Sequence, residues 1–147
     1  MIELQKLSNK CKYALRAIFE LALRGSSAPV KIQQIAEAQA IPPRFLEVIL
    51  AELKQGGFVE SRRGKEGGYI LARLANKLTV GEVIGFIQGN GVKRDQKEPD
   101  LIGKYAFLRL WQDISNAISN IYDNTTFADL IKEELSKRRR YIPNYVI

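Results

Sequence analysis

The sequence predicts a mainly α-helical protein in which a small basic hairpin follows two short helices. Apolar residues recur roughly every three to four positions along most of the chain, which is the period of a helix with one buried side. Pro42 and Pro43 interrupt this pattern between the two short helices, and Pro43 suits the first position of the second one. A glycine-rich basic stretch then separates two short apolar runs. We therefore expect a winged helix-turn-helix domain with a long helix near the C-terminus.

The first helix is expected over residues 9–24, with Ser8 as its N-cap. Glu20 is assigned to the exposed side of this helix, together with Lys10, Lys12 and Arg16. The turn 25–29, which is rich in glycine, serine and proline, ends it. Its predicted buried stripe is made of small and aliphatic residues: Cys11, Ala14, Leu15, Ile18, Leu21 and Ala22.

The next two helices and the hairpin form the predicted DNA-binding part. One helix begins near Lys31, and the next runs from Pro43 to about Gln55, where Gly56 and Gly57 end it. A short strand over residues 58–61, a loop over 62–68 and a return over 69–71 follow. In the helix from Pro43, the residues predicted to point inward are Leu46, Ile49, Leu50 and Leu53. Those predicted to point outward are Arg44, Glu47, Val48, Ala51 and Lys54.

The C-terminal part is expected to be a separate unit. Residues 1–88 make the winged-helix domain, which ends with a helix that Thr79 can cap, and 89–103 make a flexible loop. Residues 104–147 hold the unit itself. Its long helix is expected from about Leu101 to Tyr122, followed by a short helix from Phe127 to about Lys137 and a tail. The apolar stripe of the long helix is too large for one small domain to cover, so we predict that two copies of the chain pair through it. The stripe consists of Phe107, Leu110, Trp111, Ile114, Ile118 and Ile121.

Composition limits the classes of function. The chain has 147 residues, is 46% hydrophobic and 27% charged, and carries a net charge of +7. Residues 1–80 hold 13 Lys and Arg against 7 Asp and Glu, whereas residues 81–147 hold 10 against 9. The basic excess therefore lies with the predicted DNA-binding half, as a polyanionic partner requires. No apolar run approaches the roughly 20 residues of a membrane span.

The scarcity of cysteine and histidine excludes several chemistries. One cysteine cannot form an intramolecular disulfide, so we expect a reducing, cytoplasmic location. The absence of histidine removes histidine-based acid–base catalysis and the usual zinc and haem ligands. We expect no catalytic site, no metal site and no cofactor. Cys11 is interpreted as a buried core residue, with a redox switch as the alternative.

Three groups of residues are candidates for contact with double-stranded DNA. In the hairpin loop, arginine suits a minor groove and glycine permits positive-φ turns and close backbone approach. The loop candidates are Arg62, Arg63, Gly64, Lys65, Gly67 and Gly68. In the helix from Pro43, Arg44 can read guanine or contact phosphate, Glu47 can accept from cytosine, and Lys54 suits phosphate. Tyr13 and Arg16 are candidates for contact with the DNA backbone, with a solvated surface as the equal alternative.

Several segments resemble one family of regulators. The segments Leu7–Lys10 and Tyr13–Ala17 match its opening, and Ser61–Gly64 with Gly67–Ala72 match its wing. The matching positions extend through Thr79–Ile84 to Thr125–Leu130, so nearly the whole chain resembles the Rrf2-type transcriptional regulators. The resemblance implies a homodimeric winged-helix protein, usually a repressor of bacterial operons. It also implies a sensed signal, such as iron–sulfur status, nitric oxide, redox state or cysteine supply.

One departure from the family concerns its iron–sulfur cluster. Cluster-binding members of the family that this chain resembles carry three cysteines in the loop before the long helix, but residues 89–103 contain none. Because cluster ligation needs thiolates, we do not carry cluster sensing over to this chain.

We expect a cytoplasmic homodimer that binds a pseudo-palindromic operator and represses transcription, with room for an effector or a protein partner. The alternative is a regulator that binds a metabolic enzyme through its long helix, with DNA binding secondary. The retained arginines of the hairpin loop, Arg62 and Arg63, favour the first interpretation. An enzyme ranks third, because no nucleophile–base pair is visible.

Overall fold

The structure, a computed structural model, describes residues 7–25, 27–89 and 98–141. Within these residues the chain forms six helices and one two-stranded antiparallel sheet. In chain order the elements are α1 (Asn9–Arg24), α2 (Ile32–Gln39), α3 (Pro43–Gln55), β1 (Val59–Arg62), β2 (Gly68–Leu71), α4 (Val80–Gln88), α5 (Lys104–Asn124) and α6 (Phe127–Tyr141). The predicted mainly α-helical class, with a hairpin after α3 and a long C-terminal helix, is confirmed.

Local capping explains where several helices begin. The Ser8 Oγ accepts a hydrogen bond from the Cys11 N–H at 3.1 Å, and the Thr79 Oγ1 accepts from the Glu82 N–H at 3.2 Å. Both caps were predicted, and each satisfies a backbone donor that has no partner inside its helix. At the start of α2 the capping side chain lies inside the helix instead of before it: the Gln34 Oε1 accepts a hydrogen bond from the Lys31 N–H at 3.0 Å.

The core lies where α1 packs against α2, α3, α4 and α6. Aliphatic side chains from these helices and from β1 fill it, and Phe127 at the start of α6 is fully buried among them. Backbone hydrogen bonds hold that residue in place: the Phe127 N–H donates to the Leu78 carbonyl at 3.1 Å, and the Val80 N–H donates to the Thr125 carbonyl at 2.8 Å. The first turn of α6 therefore belongs to the same core as the three N-terminal helices.

Glu20 is a correction to the predicted exposed side of α1. Its side chain is buried and accepts two hydrogen bonds, from the Arg24 Nε at 2.5 Å and from the Gln39 Nε2 at 2.9 Å. A buried carboxylate is tolerated only when such partners replace water. Leu15 and Ala22, which were assigned to the buried stripe of α1, are half-buried and pack against the core.

Several element bounds also differ from those predicted. β1 is Val59–Arg62, one residue later than expected, because Phe58 packs in the core before the strand begins. α5 begins at Lys104 instead of near Leu101, since a turn precedes it in which the Lys104 N–H donates to the Leu101 carbonyl at 3.1 Å. α5 continues to Asn124, and α6 continues to Tyr141 instead of ending near Lys137.

Part of the predicted flexible loop 89–103 lies outside the described residues, which omit 90–97. Residues 1–6 and the predicted tail at 142–147 lie outside them as well. No helix among the residues that the structure describes is both long and apolar enough to cross a membrane.

Candidate nucleic-acid interface

α3 presents two chemically different sides. Its buried side consists of Leu46, Ile49, Leu50 and Leu53, as the spacing predicted, and it packs against α1 and α2. The side that faces away from the core is open to solvent. As predicted, the exposed residues there include Arg44, Glu47, Val48, Ala51 and Lys54. The helix therefore has one face committed to the fold and one face available to a partner.

The hairpin of β1 and β2 forms the wing. Its register pairs Val59 with Leu71 and Arg62 with Gly68, so the loop that projects from it is 63–67. Arg63 and Lys65 lie on this loop and are exposed. Arg62 lies at the end of β1, where its Nη2 is 3.1 Å from the Glu60 Oε2. A pair as exposed as this one is worth little, so it leaves Arg62 free to change partner.

The wing glycines differ in why they are needed. Gly64 has φ +106°, a conformation that favours glycine, as predicted. The same prediction is wrong for Gly67, which has no positive φ and is instead crowded, because a Cβ there would lie 2.4 Å from the Arg62 carbonyl oxygen. At Gly68 a Cβ would lie 2.4 Å from the Val30 carbonyl oxygen. Close backbone packing therefore explains why glycine is needed at Gly67 and Gly68.

A backbone bridge that the sequence analysis missed anchors the wing. The Val30 N–H donates to the Tyr69 carbonyl at 2.9 Å, and the Tyr69 N–H donates to the Val30 carbonyl at 2.8 Å. This pair attaches β2 to the residue that precedes α2. The available signal was weak, since Val30 is a lone apolar residue between Pro29 and Lys31 and a one-residue bridge has no periodicity.

The two α1 candidates have different environments. Arg16 is exposed, and its Nη1 donates to the Gln39 Oε1 at 3.2 Å, which connects it through Gln39 to the buried Glu20. Tyr13 is half-buried and packs against the core. Only part of the Tyr13 side chain is therefore at the surface.

Apart from Arg62, the predicted cations of α3 and the wing take part in none of the salt bridges that the described residues form, in contrast to several cations elsewhere. Lys10 pairs with Glu52 at 2.6 Å, and Arg73 pairs with Glu82 at 2.9 Å. Within residues 7–25, 27–89 and 98–141, no salt bridge involves Arg44, Lys54, Arg63 or Lys65. Their positive charge is thus available to an anion that approaches α3 and the wing.

The predicted stripe on α5 is largely uncovered within one chain. None of the residues of α5 is buried, although the helix has 21 residues. Phe107, Leu110 and Ile121 are 51%, 45% and 64% exposed, and Trp111, Ile114 and Ile118 are half-buried. The Trp111 ring stacks on Phe107 with centroids 6.1 Å apart, and its indole N–H donates to the Glu98 carboxylate.

Cys11 lies in the core of α1 and has no exposed surface. Burial raises the pKa of the Cys11 thiol above its ordinary value of 9.0, because the thiolate is poorly solvated there. The buried-core interpretation of this residue is therefore confirmed.

The chain is similar to known proteins over most of its length. Residues 7–133 match the Rrf2 family model, described as an iron-dependent transcriptional regulator. The chain is 33% identical over 132 residues to the HTH-type transcriptional regulator IscR of Erwinia tasmaniensis, which covers 88% of this chain and 80% of that protein. Among solved structures it resembles CymR, the global cysteine regulator of B. subtilis, at 29% identity and a TM-score of 0.76, with 86% and 95% of the two chains covered. It also resembles T. potens IscR, at 32% identity and a TM-score of 0.71, with 86% of each chain covered.

The residues of this chain do not fit the iron that the family description implies. Iron–sulfur clusters are held by several thiolates, sometimes with histidine. The whole sequence has one cysteine and no histidine, and that cysteine is enclosed in the core. Among the described residues, no group of three or more His, Cys, Asp and Glu side chains could hold a metal ion.

Family membership rests on the match over most of the chain and on the shared architecture. The match extends from the residue before the Ser8 cap into α6, so it includes α3, the wing and the long helix. The relatives are transcriptional regulators, a class without enzymatic activity. This chain therefore belongs to the Rrf2 family of DNA-binding transcriptional regulators.

Proposed function

We propose that the protein acts in the cytoplasm as a homodimer that binds a pseudo-palindromic operator and represses transcription. The observation that carries this proposal is the uncovered apolar stripe of α5. A helix of this length with no buried residue needs a cover, and a second α5 offers the same stripe at the same spacing. Two-fold pairing gives each dimer two α3 helices and two wings, one set for each half-site.

The charge distribution supports DNA as the ligand of these paired elements. Arg44 and Lys54 on α3 and Arg63 and Lys65 on the wing are exposed, and the described residues offer none of them a salt-bridge partner. Such cations gain by replacing the counterions of a phosphate backbone. The resemblance to this family supports repression, and a dimer bound to a promoter would block access to it.

The rival proposal uses the same stripe differently. In that case α5 binds a metabolic enzyme, and DNA binding is secondary. The two proposals differ in what the isolated protein does, since only the first requires a dimer that is stable without another protein.

Light scattering at micromolar concentration separates the two proposals. We expect a dimer for the wild type and a weakened dimer for Trp111→Ala, with a loss of about 3–5 kcal/mol if the ring is fully buried in the dimer. Arg109→Ala is the matched control, because Arg109 lies on the same helix but its side chain is 83% exposed. A folded wild-type monomer would refute the homodimer proposal.

The operator is tested with the purified dimer and a random-sequence duplex library. We expect selection to recover a sequence with two-fold symmetry, and we expect two copies of the chain on each duplex. A reporter gene carrying that sequence in its promoter should be expressed more strongly when the regulator is deleted. Unchanged or lower expression would contradict repression.

A further inference from the structure

The exposed side of α3 carries apolar side chains that the fold does not use. Val48 is 55% exposed and Phe45 is 61% exposed, although both belong to a helix whose other side is tightly packed. Isolated exposed apolar residues are common on protein surfaces. These two, however, are three positions apart on a short helix and therefore adjoin each other.

Helix geometry places Val48 near the middle of the exposed side. Successive residues of a helix are about 100° apart around its axis. One side of α3 therefore carries all of its buried residues, which are Leu46, Ile49, Leu50 and Leu53. The opposite side of α3 carries a row of residues on successive turns, with Phe45 on one flank of the row and Glu47 on the other. That row is Arg44, Val48, Ala51 and Gln55.

The surroundings of this row indicate a polyanionic partner and not an apolar one. Arg44 precedes Val48 by one turn and Lys54 follows it, and neither forms a salt bridge within the part of the chain that the structure describes. A purely hydrophobic protein partner would have to desolvate both charges. The apolar stripe proposed for dimerisation lies on a different helix, α5. A second copy of the chain would therefore bind to α5 and leave this row on α3 free.

DNA offers one apolar group in the major groove, which is the C5-methyl group of thymine. We propose that Val48, with Ala51 and Phe45 beside it, contacts thymine methyl groups, so that each half-site has thymine opposite Val48. This inference rests on the proposed operator binding. It adds a sequence preference that Arg44 and Glu47, whose expected base partners are guanine and cytosine, would not supply.

The test uses the duplex recovered by selection and resynthesised with deoxyuridine in place of thymine, one base pair per half-site at a time. This substitution removes the methyl group and preserves base pairing. We expect one position at which the wild type loses about fourfold in affinity per half-site, which corresponds to one buried methyl-sized group. Val48→Ala should bind the thymine duplex more weakly by a similar factor and should not respond to deoxyuridine at that position.

Arg63→Ala is the control for general weakening. It should lose affinity for the thymine duplex but keep the response to deoxyuridine, because Arg63 lies on the wing loop and not beside Val48 on α3. Since Val48 is exposed and alanine favours helices, Val48→Ala should fold normally, which circular dichroism checks.

The inference is overturned if no deoxyuridine substitution weakens the wild type. It is also overturned if Val48→Ala responds to the sensitive position as the wild type does. If selection recovers no preferred duplex at all, the proposed operator binding has failed, and the inference fails with it. That outcome is distinct from specific binding without methyl dependence.

Discussion

Single side chains on the exposed side of α3 and on the wing differ in what they would gain from a polyanion. Arg62 has Glu60 beside it, whereas the described residues offer Arg63 no salt bridge. Glu47 carries the opposite charge on the exposed side of α3, where it is repelled by phosphate unless a base donor compensates. These residues should therefore respond differently to substitution.

We expect Arg63→Ala to weaken binding to nearly every duplex and to flatten its salt dependence. Each lost phosphate contact changes the log–log slope by about 0.9, and a dimer loses one contact in each half-site, so the slope should change by about 1.8. Glu47→Ala should hold or raise non-specific affinity and lose about 1–3 kcal/mol of discrimination at one base pair. Titrations of the operator and a scrambled duplex across a salt series measure both effects.

Arg109→Ala, which removes the same charge from α5, is the control for net charge in these titrations. If Arg63→Ala and Glu47→Ala lose affinity in parallel on both duplexes, the assignment of phosphate contact to the wing and base contact to α3 is wrong. The reason for expecting a contrast is that phosphates are the same at every sequence, whereas base edges differ.

Cys11 should be unreactive in the native protein. We expect iodoacetamide to modify it slowly at neutral pH when the chain is folded and quickly in denaturant, as mass spectrometry would show. Cys11→Ser should cost about 1–3 kcal/mol, because it places a hydroxyl in an apolar site. Rapid modification of the folded protein would contradict the buried position.

The pKa of Cys11 also predicts a direction for alkaline stability. Because the folded pKa is raised, the unfolded chain loses its thiol proton first as the pH passes 9.0. The stabilising contribution is therefore complete below that pH and declines above it. In chemical denaturation, the advantage of the wild type over Cys11→Ala should shrink as the pH rises above 9.0.

At the scale of elements, α6 depends on a reciprocal cap. The Thr126 Oγ1 accepts from the Asp129 N–H at 3.1 Å, and the Asp129 Oδ2 accepts from the Thr126 N–H at 3.0 Å. The backbone N–H of Thr126, and then its hydroxyl, lower the pKa of the Asp129 carboxyl. Since the next residue, Phe127, is in the core, this cap fixes where α6 joins the fold.

We expect Thr126→Ala to destabilise the protein by about 1 kcal/mol, and Thr126→Ser to restore most of the loss because serine caps equally well. Chemical denaturation measures both. The contribution of Asp129 should be present at neutral pH and be lost as the pH falls, since a lowered folded pKa favours the charged form. Equal stability of Thr126→Ala and the wild type would show that the cap is unimportant.

At the scale of the whole molecule, the chain keeps the family architecture without the family's cluster ligands. The resemblance to IscR and CymR covers α3, the wing and the long helix, while the only cysteine is enclosed in α1. The apolar core, and not a bound cluster, therefore positions α3 and the wing.

Purified under anaerobic conditions, the protein should be colourless and contain neither iron nor acid-labile sulfide. The physical reason is that one buried thiol cannot complete a cluster. A chelator should accordingly leave operator affinity unchanged. Stoichiometric iron and sulfide, with charge-transfer absorbance, would overturn this expectation.

The sequence alone determined features that depend on near neighbours. The bounds of α1 and α3 followed from apolar spacing, from the Ser8 cap and from Pro43, because helices and their caps form between residues a few positions apart. Only the tertiary structure decided that Glu20 is buried with Gln39, that Val30 pairs with Tyr69, and that Phe127 completes the core. These contacts join residues that are distant in sequence. The spacing of apolar residues along one helix or strand does not reveal which distant residue will replace water around a given side chain.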